Sequence, residues 1–110
     1  MLLLDEIRGR LCEVFGLREH CIDHTLHGAI ASAATFGALM GASEEQIESA
    51  IGMTVAHYVP SRAMRVGEVL SDSEGTSAAL ATEAAVMSVF RAISGFIGPK
   101  DIFRNPESVF

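Results

Sequence analysis

Met40-Gly41-Ala42-Ser43-Glu44-Glu45-Gln46-Ile47 is the stretch on which the fold turns. Gly41 is a residue type that ends helices, because without a Cβ it enters the left-handed conformation that a C-terminal cap requires. Ser43 followed three residues later by Gln46 is a capping box: the hydroxyl accepts from the Gln46 amide, and the Gln46 side chain accepts from the Ser43 amide. Glu44 and Glu45 place two acids in the first turn, where free N–H groups create positive potential. The stretch therefore predicts a helix, a tight turn and a second helix.

Outward from this turn, apolar residues recur at three- and four-residue spacing and never alternate as they do in strands. The upstream helix, about His24 to Met40, is rich in small residues: Gly28, Ala29, Ala31, Ser32, Ala33, Ala34, Gly37 and Ala38. Small side chains on every face let neighbouring backbones approach closely, which predicts a helix buried among others. The downstream helix carries Ile47, Ala50, Ile51, Thr54, Val55 and Tyr58 on one face and must stop near Val59, because Pro60 disfavours helix at the residue before it. Ser61 to Gly75 reads as a polar, irregular connection. Thr76 or Ser77 then caps a last helix that passes through Leu80, Ala84, Val86, Met87 and Phe90 to about Ser94, with Gly95 as its stop and Gly98-Pro99 preventing continuation. At the other end Leu4, Ile7, Leu11 and Val14 form an apolar stripe ended by Gly16. The expected architecture is all-α: a compact bundle of about four helices, with residues 1–110 forming a single helical domain or domain fragment.

Composition narrows the function. The 110 residues carry 14 acidic against 8 basic side chains, a formal charge of −6, and Lys100 is the only lysine. Phosphate binding needs clustered cations, so nucleic acid is excluded as an expected partner. No stretch reaches the roughly 18 uninterrupted apolar residues of a membrane span. The apolar start Met1-Leu2-Leu3-Leu4 meets Asp5, Glu6, Arg8 and Arg10 before a secretory h-region develops. The expectation is a cytoplasmic protein, with no membrane partner and with Cys12 and Cys21 as reduced thiols.

The densest group of chemically capable residues is His20, Cys21, Asp23, His24 and His27. These are zinc-ligand types, but a structural zinc site needs a second short-spaced pair, and only His57 and Cys12 remain. No metal and no cofactor are expected. His20 and His27, taken singly, read as ordinary polar or capping residues. Asp23-His24 at a helix start has two readings: an imidazole beside a carboxylate can serve as acid or base, or Asp23 simply caps the helix. Arg62 and Arg65, three residues apart in a cation-poor chain, also have two: they hold a substrate carboxylate, or they pair with Glu68, Asp72 or Glu74 in a solvated network. No phosphate loop and no nucleophile motif is present.

Four landmarks, in order, resemble the MmgE/PrpD family, which includes 2-methylcitrate dehydratase and cis-aconitate decarboxylase. They are Ile22-Asp23-His24 before the Ala-rich helix, Met40 through Ile47 continuing to Ala50-Ile51-Gly52-Met53, Arg62-x-x-Arg65-x-Gly67-Glu68, and Gly95-Phe96-Ile97-Gly98-Pro99 with Ile102-Phe103. The resemblance covers nearly the whole chain and looks like the central part of the family's helical domain. It implies a cofactor-free, usually dimeric lyase that eliminates water or carbon dioxide from small tricarboxylates. By that resemblance His24 is the catalytic acid or base; Arg62 and Arg65, which fall within the third landmark, are the candidate substrate-binding residues on the guanidinium chemistry given above.

Two positions depart from the family pattern: Glu74 stands where relatives commonly carry lysine, and Glu83 where they carry arginine. Acids in place of cations weaken the binding of a tricarboxylate. The family's N-terminal half and second domain are expected to have no counterpart here. The expected function is therefore a truncated or split member of this lyase family, active only when completed by further chain. The alternative is a non-catalytic helical interaction or oligomerisation module derived from it. Either way the chain is expected to form a homo-oligomer or take a partner chain, and a tricarboxylate binds only the completed form. A metal-binding role for His20, Cys21, His24 and His27 is a third reading.

Overall fold

The computed structural model describes residues 2–14, 25–58 and 72–104, the side chains of 72–77 excepted. They form four helices: α1 (Leu2–Val14), α2 (Thr25–Leu39), α3 (Glu44–His57) and α4 (Asp72–Ile93). No strand occurs among the described residues, so the chain is all-α.

The turn between α2 and α3 follows the local chemistry. Gly41 lies at φ +73°, the Ala42 amide donates to the Gly37 carbonyl at 2.9 Å, and the Gly41 amide donates to Ala38 at 3.2 Å. This pair of bonds is a Schellman cap. Ser43 opens α3 with both halves of the capping box in place: the Gln46 amide donates to Ser43 Oγ at 3.2 Å and the Ser43 amide donates to Gln46 Oε1 at 2.8 Å. α4 ends the same way as α2, with Gly95 at φ +100° and Phe96 and Gly95 amides bonded to the Arg91 and Ala92 carbonyls.

α4 departs from expectation at its start. Asp72 to Gly75 belong to the helix and not to the connection, so α4 begins earlier than a cap at Thr76 or Ser77 allows. Asp and Ser are the residue types that favour a helix N-terminus, and one glycine near a helix start costs only about 1 kcal/mol.

α2 is the central helix and packs against all three others. Its Thr25, Leu26, His27, Ala29, Ile30, Ala31, Ser32, Ala33 and Gly37 are buried. One core cluster sets four alanines, Ala33, Ala50, Ala85 and Ala92, around Met53 and Val89, with Phe36 packed against it; the Phe36 ring meets Phe90 edge to face at 5.5 Å. The other joins Leu26, Ile30 and Val55, with Leu11, Tyr58 and Ile102 against it, and Ile51 touches both. Because α4 packs closely through Ala81, Ala85, Ser88, Val89 and Ala92, the larger Leu80, Met87 and Phe90 of its sequence stripe stand half exposed.

The segment after α4 crosses α3 at a point where two glycines meet backbone. A Cβ on Gly52 would overlap the Pro99 carbonyl, and one on Gly98 would overlap the Ser49 carbonyl and the Met53 side chain. Glu48 then holds the strap, accepting from the Asp101 amide at 3.2 Å. α1 has no buried residue and lies mainly on α2, its outer side carrying ion pairs Arg10–Glu6 (2.8 Å) and Arg8–Asp5 (3.5 Å). Of its predicted stripe, Leu4, Ile7 and Leu11 are half-buried while Val14 is exposed.

Candidate functional site

Hydrophobic contact sets the frame of the site. Leu26 in the first turn of α2 clusters with Val55 near the end of α3, and Tyr58, the cap residue of α3, packs on that cluster. The N-terminus of α2 and the C-terminus of α3 therefore lie at one end of the bundle. His24 is adjacent in sequence to Thr25 at that end, and Arg62 and Arg65 follow Tyr58 by four and seven residues. His24, Arg62 and Arg65 themselves lie outside the described residues, as do His20, Cys21 and Asp23.

A groove of about 390 Å³ runs between α3 and α4, lined by Met53, Thr54, His57, Tyr58, Glu83, Met87, Ser88 and Arg91 among others. Its floor is chemically quiet: Thr54 and Ser88 are buried, and their hydroxyls donate back to the Ala50 and Ala84 carbonyls at 2.8 and 2.9 Å. Its rim carries the reactive types. His57 and Arg91 are exposed in the last turns of α3 and α4, and Glu83 is exposed two turns before Arg91. An imidazole and a guanidinium on facing helices can bind a carboxylate and exchange a proton with its carrier, while Glu83 repels the same anion. Sequence reading passed over His57, Tyr58 and Arg91 as rim partners, because they fall on two helices with no motif between them. The periodicity of α3 and α4 places each on a half-exposed face, and only packing brings the faces together.

A larger open groove of about 570 Å³ lies against α3 and the strap, lined by Glu44, Glu48, Asp101 and Arg104 with Ile47, Ile51, Ile102 and Phe103. Its carboxylates outnumber its cations, so it is the poorer receptor for an anion.

His27, read as a polar or capping residue, is instead 3% exposed inside α2, and its Nδ1 stands 3.2 Å from the Cys12 sulfur. Cys12 is a free, exposed thiol. Among the described residues no three His, Cys, Asp or Glu side chains gather as metal ligands, and no helix is long and apolar enough to cross a membrane.

Comparison with known proteins adds one finding to this geometry. A family model described as the MmgE/PrpD N-terminal domain matches residues 5–110. No curated protein and no solved structure matches the chain.

Proposed function

Since the chain belongs to the MmgE/PrpD family across residues 5–110, we propose that it supplies helical framework and part of the site to a lyase acting on small tricarboxylates, working together with further polypeptide. The carrying observation is the family match, within which His24, the capped helix turn, the Arg62/Arg65 pair and the Gly98-Pro99 strap fall in order. In this reading His24 moves the proton, and Arg62 and Arg65 hold carboxylates. The clustering of Leu26, Val55 and Tyr58 supports it by bringing the helix ends that flank these residues together. Elimination from a tricarboxylate also needs an acid for the leaving group and further cations, and Glu74 and Glu83 stand at two positions where family resemblance calls for cations. Those groups come from the additional polypeptide. No cofactor and no metal is assigned, and the setting is cytoplasmic.

The test is turnover of 2-methylcitrate and of cis-aconitate. The purified chain alone is expected to show none, and addition of a second polypeptide bearing the rest of the family's fold is expected to restore it. Turnover by the isolated chain that disappears in His24→Ala would refute the dependence on further polypeptide. A non-catalytic interaction module is the second reading, favoured by large apolar side chains left on the surface: Leu39 is 79% exposed, Phe96 64% and Ile97 81%. Stable association without turnover, in the presence of the second polypeptide, decides for the module.

A further inference from the structure

The contact between Cys12 and His27 lies outside the groove and outside every family landmark. Cys12 stands on α1 with its thiol reachable from solvent; His27 stands in the first turn of α2 and is 97% buried by the same packing that buries Leu26 and Ile30. Burial fixes the imidazole, so its ring nitrogen is held 3.2 Å from the sulfur without the rotational freedom of a surface histidine. Leu11, the neighbour of Cys12, is packed against Leu26 and Ile30, which holds that part of α1 in register with α2. Because the Cys12 thiol is exposed, a small molecule can approach the sulfur next to the fixed imidazole. Asp5 and Glu6 are paired with Arg8 and Arg10, which leaves the charge of Glu13, adjoining Cys12, to disfavour anionic reagents.

We infer that Cys12 and His27 form a modification site for small uncharged electrophiles of the peroxide class. In the tautomer with Nε2 protonated, Nδ1 accepts the thiol proton as sulfur attacks one peroxide oxygen. The S–O bond forms with the sulfur electron pair as the O–O bond breaks. Hydroxide leaves and takes the proton from the imidazolium, departing as water. Sulfur is oxidised to the sulfenic acid and the peroxide is reduced. The contact that ties α1 to α2 at this point is altered by the same step, and α1 has no buried residue with which to compensate.

The experiment uses the whole chain with hydrogen peroxide and a sulfenic-acid trap, read by peptide mass spectrometry. Cleavage after arginine places Cys12 and Cys21 on separate peptides, because Arg18 lies between them. Trapping at Cys12 is expected to be at least about tenfold faster in the native chain than in the guanidinium-unfolded chain, where the base is no longer fixed. His27→Gln is expected to bring the native rate down to the unfolded one. Equal rates at Cys12 in the native and unfolded chains overturn the inference. So does a folded His27→Gln variant that keeps the native rate. If that variant does not fold, the native-to-unfolded comparison decides alone.

Discussion

Gly52 and Gly98 show how much a single Cβ can cost here. Each faces a backbone carbonyl of the other's segment, and neither site has room for a methyl group. Gly52→Ala is expected to lower stability by about 1–3 kcal/mol through overpacking, read as a fall in the denaturant midpoint. Gly9, exposed in α1 with open space beyond its Cα, is the control of opposite sign. Gly9→Ala is expected to stabilise by up to about 1 kcal/mol, because alanine forms helix better than glycine. At Ser43 the capping box predicts a loss of about 1 kcal/mol for Ser43→Ala, measured in the same titration. Gly41 and Gly95 were legible as helix stops because the signal is local. Gly52 and Gly98 were not, since nothing within a few residues of either announces that another backbone will cross it.

Among the elements, α1 and α2 are opposites. α2 packs on three helices and buries nine of its residues, whereas α1 has none buried and is held by half-buried Leu4, Ile7 and Leu11. Local opening requires breaking only what an element buries, so α1 should open alone. Hydrogen exchange is expected to label the α1 amides well before those of α2. Simultaneous exchange of both would show that α1 belongs to the cooperative core. The small-residue composition of α2 disclosed its central position, because only a helix surrounded by backbones profits from alanine and glycine on every face. The stripe of α4 was harder to read. Leu80, Met87 and Phe90 are the more hydrophobic residues, yet Ala81, Ala85 and Ala92 face the core. Close approach to α2 and α3 favours small side chains over greasy ones.

For the whole molecule, the exposed Leu39, Phe96 and Ile97 lead to an expectation of association, with itself or with the further polypeptide proposed above. Sedimentation at micromolar concentration is expected to show a species larger than the monomer, and Ile97→Glu to reduce it. A single monomeric species, unchanged by that substitution, would remove this support for a partner. The helical class, the capped turn at Gly41–Gln46, the burial of α2 and the family resemblance all followed from the sequence by itself. Each rests on short-range rules: cap chemistry, periodicity, residue size and ordered motifs. Tertiary structure alone decided that His57 and Arg91 share a groove, that Gly52 receives Pro99, and that Cys12 meets His27 fifteen residues away. These pairings depend on how helices set their faces against one another, and the energy that selects them is spread over the whole packed core.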